Sequence, residues 1–399
     1  MFNSPAAPRY QNIGITGKPN AAMNSDAHQN RRRRLPKQFR AIRMLARPLF
    51  AIVASAAIVA IVLIALGASP IAVAATLVEG GFGSWLTFSE TLVRSTPLIF
   101  TGLAVAIAFE GAIWNIGADG QLIMGAMAAG AIGPALGGWP HIGAVAIVLV
   151  LGAVAGAVWG ALCGWLKAAR NVSEIISTIM LNFVAAQLIA WAVHGPLIQP
   201  SRAYPASAPI ADAACFAHYF LPSRMNFGMA IAIACAIACQ IALFHTTWGF
   251  KVRAIGRNVR AARFFGIATG RLTVAVMGLA GAFAGLGGAV QVAAYNHRLY
   301  ENFSPGWGYE AIAVALVARL SPIGIIPCAI LFGALDNGSQ TLQSGLGVSP
   351  EIVNVIEGLI ILILLAIDSS TCAARRIGDD AAVIDSAPAG DNAPEGGRV

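Results

Sequence analysis

The sequence predicts an all-α fold, a polytopic transmembrane helical bundle, and three observations carry that expectation. Hydrophobic residues make up 57% of the chain and charged residues only 11%, where soluble domains carry about 25% charged residues. The mean hydropathy is accordingly +0.71. Glycine is abundant, with 43 residues, as in helices that pack closely inside a bilayer and unlike the alternating pattern of a membrane barrel. The basic residues, finally, are sorted by membrane side. Of 26 Lys and Arg, 22 fall on segments that alternate to one side: the stretch up to Arg47, Lys167 and Arg170, the loop Lys251 to Arg271, Arg319, and the C-terminal tail. Arg94, Arg202, Arg224 and Arg298 are assigned to the other side. This positive-inside bias predicts cytoplasmic termini and an even number of spans. It also accounts for the run Arg31 to Arg34 as a topology anchor, so no nucleic-acid binding is expected.

Residues 1–48 are polar and basic and are expected to form a disordered cytoplasmic N-terminus. A membrane domain is expected over 49–368, because a span needs about 20 apolar residues to cross about 30 Å of hydrocarbon. Leu49 to Ala68, Ile142 to Leu166, Ile175 to Val193, Asn226 to Phe244 and Leu272 to Ala294 contain no charged residue and meet that length. Less regular apolar runs occupy Pro97 to Ile113, Ala118 to Leu136, Tyr309 to Val317, Ile323 to Leu342 and Ile352 to Ile367. Taking all of them as crossings gives ten spans, with eight as the fallback. The Tyr309 to Val317 run is short and predicts a broken or re-entrant helix, which survives at membrane depth only when buried in protein or lining a cavity. Ser69 to Thr96 is expected to be an external loop with a short interfacial helix. The polar tail 369–399 is expected to be disordered like the N-terminus.

Gly152, Gly156, Gly160 and Gly164 recur every four residues, and Gly278, Gly281, Gly285 and Gly288 stripe a later span. Small residues at that spacing let two helix backbones touch, and internal packing is the favoured reading over a subunit interface. The six cysteines show no paired metal spacing, so neither zinc nor a disulfide is expected. No G-x-x-x-x-G-K-[ST], H-E-x-x-H or G-x-S-x-G motif occurs, so this chain is expected neither to bind ATP by a phosphate loop nor to act as an enzyme.

Two regions could carry function. Thr246 to Arg271 holds Lys251, Arg253, Arg257, Arg260, Arg263 and Arg271 with no acidic residue. Within it, Gly256, Arg257, Asn258, Val259, Arg260, Ala261, Ala262, Arg263, Phe264, Phe265 and Gly266 read as one short helix between two glycine breakers. Such a helix could seat in a groove of a cytoplasmic partner, or the loop could be an ordinary positive-inside tether. In the second region, Asn115, Asp119 and Gln121 interrupt an apolar stretch beside Gly117 and Gly120. Polar groups at membrane depth line a solute route or satisfy the backbone of a broken helix. Asn182, Glu310, Asp336, Asn337 and Glu357 are further candidates, each with helix-to-helix hydrogen bonding as the alternative. An ion-coupled secondary transporter would use paired charges of this kind, and a scaffold for other membrane proteins would need none.

Four ordered segments then resemble the permease subunits of ABC importers of the nucleoside and simple-sugar type: RSTPLIFTGLAVAIAFEGAIWNIGADGQLIMGA from Arg94, SEIISTIMLNFVA from Ser173, RAIGRNVRAARFFGI from Arg253 and SPGWGYEAIAVALVARLSPIGI from Ser304. The resemblance runs from Arg94 to about Ala366. It implies a fold like that of the ribose and vitamin B12 importers, located in the bacterial cytoplasmic (inner) membrane. It implies as partners ABC ATP-binding subunits, which would hold ATP and Mg so that no cofactor belongs to this chain, a related or identical second permease subunit, and an extracytoplasmic substrate-binding protein. Gly256 to Gly266 would be the coupling helix, with Gly256, Arg257, Asn258, Arg260, Ala261, Ala262, Arg263 and Gly266 as its contact residues. Asn115, Asp119, Gln121, Asn182 and Glu310 would give the route a weakly selective polar lining for a small polar solute, first a nucleoside or purine and second a simple sugar. Val259 stands where the family usually has proline, and Glu110 where it has arginine.

Overall fold

The computed structural model describes residues 69–346 apart from 203 and 218–223, together with the isolated positions 57, 58, 60, 61, 64, 355 and 358. The expected spans at Leu49 to Ala68 and Ile352 to Ile367 and both polar tails therefore lie outside the described residues, isolated positions aside. Eleven α-helices follow in order among the described residues: α1 (Pro70–Phe82), α2 (Trp85–Glu110), α3 (Ala118–Ile132), α4 (His141–Arg170), α5 (Glu174–His194), α6 (Phe227–His245), α7 (Thr247–Arg257), α8 (Val259–Phe264), α9 (Thr269–Gln291), α10 (Trp307–Val317) and α11 (Pro322–Leu346). Six helices there are long and apolar enough to cross a membrane: α2, α4, α5, α6, α9 with its π-helical extension to Asn296, and α11.

Local sequence sets most of the helix ends. Ser84 caps α2, its hydroxyl accepting the Thr87 amide at 3.1 Å while the Thr87 hydroxyl accepts the Ser84 amide at 2.9 Å, a reciprocal capping box. Asn226 caps α6 through the Gly228 amide at 2.8 Å, and Thr246 caps α7 through that of Gly249 at 3.1 Å. Asn171, in the left-handed region at φ 53°, closes α4, a conformation asparagine tolerates better than most residues.

One expectation is corrected here. Ser69 to Thr96 is not a loop: it forms α1 and the first turns of α2, and Arg94 lies within that helix. Several polar side chains of the stretch are satisfied by the protein. The hydroxyls of Ser95 and Thr96 donate to the carbonyls of Thr91 and Leu92 at 2.6 and 2.9 Å. Asn337 on α11 donates to the carbonyls of Gly80 and Thr87 at 2.9 Å each, joining α1, α2 and α11. Helix α2 is consequently the central rod of the bundle, buried on all sides from Leu98 to Ala108, as expected of a helix apolar around its whole circumference.

The glycine stripes pack on each other within the chain. A Cβ on Gly156 would strike the Gly281 carbonyl, one on Gly285 the Gly152 carbonyl, and one on Gly160 the Met277 carbonyl. Gly125 of α3 meets Gly285 in the same way. The backbones of α3, α4 and α9 thus touch directly, the arrangement lipid favours because it supplies no hydrophobic force between helices. Outside the bundle core, the segment after α5 folds back on itself through a bridge between Ile198 and Ser207 and lies against the segment after α9 through one between Ala206 and Tyr300.

Candidate functional site

Two of the shorter helices begin inside the bundle. α3 has 15 residues and α10 has 11, both below the length of a full crossing. Each leaves N-terminal amides without intrahelical partners, and side chains from other elements meet them. Asn182, eight residues or about 12 Å into α5, accepts the Gly120 amide of α3 at 2.9 Å. Its own amide group donates to the Ile116 carbonyl at 2.9 Å and to the Tyr309 hydroxyl at 3.1 Å. Asp119 does for α10 what Asn182 does for α3: its Oδ1 accepts the Gly308 amide at 3.0 Å and the Ser304 hydroxyl at 2.7 Å. A carboxylate at a helix N-terminus is also favoured by the helix dipole. Asn115 and Gln121 are fully buried and paired through their amide groups at 3.2 and 3.3 Å, and Asn115 further accepts the Gly117 amide at 3.0 Å.

The structure thus brings Asn115, Asp119, Gln121 and Asn182 together around the break between α2 and α3, with their hydrogen-bonding groups engaged by the chain itself. Glu310 stands one residue beyond Tyr309, half-buried, with Asp336 and Asp119 as its electrostatic neighbours and no hydrogen bond from its carboxyl to another described residue. Tyr309 and Ser304 are members that the sequence reading missed. The signal available was the glycine pair Gly306 and Gly308: the first sits at φ 116° and the second has no room for a Cβ beside Asp119.

The basic loop meets the C-terminal end of the rod, where Gly256 packs on Glu110. The single helix expected from Gly256 to Gly266 is in fact the end of α7 followed by α8. Gly256 is not a breaker but an α7 residue pressed on the Glu110 carbonyl, where a Cβ would collide. Asn258 interrupts the helix, extended at φ −159°, and its side chain accepts the Ala261 amide at 3.0 Å to start α8. An asparagine cap takes the place of the proline that Val259 lacks. Gly266 at φ 78° ends the segment. Ala261 is exposed, as are Arg257, Arg260 and Arg263, but Ala262 is buried against this chain's own core. Phe264 and Phe265, packed edge to face at 5.8 Å, are 88% and 80% exposed, more than any other large apolar side chain here except Ile142 and Ile71. Glu110 sits in the field of Arg253 and Arg257, which accounts for an acid at the C-terminal end of α2.

A third polar cluster joins α2 to α11 near the other end of the rod. Arg94 donates to Asp336 at 2.7 Å and to Gln340 at 2.9 Å, with Glu90 at 3.8 Å along its own helix. The Tyr295 hydroxyl donates to Glu90 at 3.3 Å and accepts from Arg224 at 3.1 Å. Asp336 is 242 residues away, so no local pattern names it as the partner of Arg94.

Comparison with known proteins relates this chain to a family by sequence. Residues 87–365 match the family described as the branched-chain amino acid transport system permease component. The glucose ABC transporter permease protein TsgB13 of Haloferax volcanii is 31% identical over 330 residues, covering 80% of this chain and 86% of that one. The guanosine ABC transporter permease protein NupP of Bacillus subtilis is 32% identical, covering 79% and 91%. The nucleoside ABC transporter permease protein NupB of Lactococcus lactis is also 32% identical, covering 79% and 89%. No solved structure matches.

Proposed function

The chain belongs to the branched-chain amino acid transport system permease family, and on that premise we propose that it is the membrane-spanning subunit of an ATP-driven importer for a nucleoside or purine. Two of the three relatives above are named for guanosine or nucleosides. The glucose permease of similar identity supports a simple sugar as the second reading. The proposed setting is a bacterial cytoplasmic membrane, with ten spans and both termini inside. Two such permeases work with ATP-binding subunits that hold ATP and Mg, and with an extracytoplasmic substrate-binding protein.

The observation that carries the reading is the projecting α8. Phe264 and Phe265 are exposed beside Ala261 at the end of a basic loop, while the preceding α7 is seated on the end of the central rod at Gly256 and Glu110. Paired exposed aromatics on a short rigid element are suited to a pocket on a partner. A push on α8 from closing ATP-binding subunits would pass through α7 to α2 and rearrange the route by alternating access. In this reading Asn115, Asp119, Gln121 and Asn182 hold the broken helix ends that frame the route, and Glu310 offers its free carboxyl to the solute.

The test is co-purification of the tagged chain from its native membrane, followed by an ATP hydrolysis assay, with the variants Ala261→Arg and Phe264→Asp. Ala262→Arg is unsuitable because that side chain is buried. The expected result is an ATPase that accompanies the wild type and is lost by at least about tenfold with either variant, the scale of removing a central anchor. No ATPase with the wild type, together with solute movement by the reconstituted chain alone, would overturn the reading in favour of an ion-coupled carrier.

A further inference from the structure

Resting on the importer reading, we propose that the Arg94 to Asp336 ion pair is the extracytoplasmic latch of the solute route, holding the outer segment of α2 against α11 and opening for passage. Four observations converge on it.

The first is position. Arg94 and Thr101 are seven residues apart, two turns along one face of α2. The Thr101 hydroxyl reaches the Trp307 carbonyl at 3.4 Å, at the start of the short α10 that carries Glu310. Asp336 is itself an electrostatic neighbour of Glu310. The pair therefore stands over the region where the broken helix ends meet.

The second is a hinge. Pro97 follows Arg94 by three residues inside α2. It has no amide to give to the Val93 carbonyl, and its ring crowds that turn. The part of α2 that bears Arg94 can tilt about this point while the buried part below stays seated.

The third is that the clamp is built to break. The Arg94 side chain is 19% exposed and that of Asp336 is 41% exposed, so water can replace each partner. Arg94 Nε is buried and lacks a hydrogen bond, since Glu90 at 3.8 Å is too far to accept one. An incompletely satisfied guanidinium favours a reversible contact over a permanent one.

The fourth is connectivity. Through Glu90 and Tyr295 the clamp extends to the π-helical turn at the end of α9 and on to Arg224 before α6. The clamp thus adjoins the contacts that tie α2 to the end of α9 and to the segment before α6, while the opposite end of the same rod carries the contact between Gly256 and Glu110.

The experiment introduces Thr101→Cys as a reporter in the full chain in intact cells and follows its modification by a membrane-impermeant maleimide, with the chain lacking the reporter as the native-cysteine background. Thr101 is fully buried with the latch closed, so modification should be slow. Arg94→Gln and Asp336→Asn should each speed it about fivefold, the equilibrium worth of one partly exposed ion pair. Arg94→Lys, which keeps the charge on Asp336, should stay within about twofold of the parent. Unchanged modification in both neutralising variants, or Arg94→Lys behaving as Arg94→Gln, would overturn the latch. If the neutralised chains do not accumulate, Gln340→Ala at the exposed edge of the clamp should give a smaller rise, and a flat result there overturns it equally. Co-purifying ATPase is scored on the parent: its absence fails the importer reading, whereas its presence with an unmoved reporter fails the latch alone.

Discussion

At the residue scale, the glycines of α4 and α9 and the amides around the helix breaks do different work. The glycines exclude side chains so that backbones can touch, and at Gly156, Gly160, Gly281, Gly285 and Gly288 a methyl group meets a carbonyl rather than a flexible side chain. Gly285→Ala should therefore lower the stability of the detergent-solubilised protein by about 1–3 kcal/mol, the range of core overpacking. Gly138→Ala, where a Cβ meets nothing within 4 Å, should leave it unchanged, and thermal unfolding of the two variants side by side checks this. The stripes were legible because period four is a helical repeat. Which helix each stripe faces was not, because nothing in a run of glycines names its partner. Asn115, Asp119, Gln121 and Asn182 stood out as polar residues in apolar surroundings. Half of their bonds go to backbone amides and carbonyls, those of Gly117, Gly120, Gly308 and Ile116, which every residue carries and no sequence pattern marks.

At the element scale, α8 depends on Asn258. A six-residue helix has little hydrogen bonding of its own, and the cap supplies one of its few fixed contacts. Asn258→Ala should cost this segment about 1 kcal/mol, raising amide exchange over residues 259–266 about fivefold while α9 stays protected. Hydrogen exchange read by mass spectrometry decides it, and equal protection in parent and variant would deny the cap its role. The single helix expected at 256–266 became two elements because glycine in a helix is tolerated where a neighbouring backbone comes close, and Glu110 does so at Gly256. Similarly, α2 begins earlier than its hydropathy suggests because Ser84 and Thr87 form the cap and α11 receives the polar residues that follow.

At the scale of the whole molecule, α2 links the contact at Glu110, proposed to be cytoplasmic, to the cluster at Arg94, proposed to be external, about 24 Å apart along the helix at 1.5 Å per residue. The sidedness of this arrangement is directly measurable. A cysteine at Gly138, between α3 and α4, should react with an impermeant reagent in intact cells, and one at Ala261 only after the membrane is permeabilised. The reverse pattern would invert the proposed topology and place the exposed Phe264 and Phe265 out of reach of any ATP-binding partner.

By itself the sequence determined that this chain is a helical membrane protein, where α4, α5, α6 and α9 run, and which family it belongs to. These follow from composition, the length of apolar runs and ordered motifs, all of them local properties of the chain. Only the tertiary structure decided that Arg94 lies inside a helix against Asp336, that Gly256 is a packing contact, that Ala262 is buried while Ala261 is exposed, and that Asn182 and Asp119 cap helices other than their own. Those outcomes rest on contacts between segments tens to hundreds of residues apart. A buried polar group is satisfied by whatever packing brings within about 3 Å, and that distance is a property of the assembled bundle.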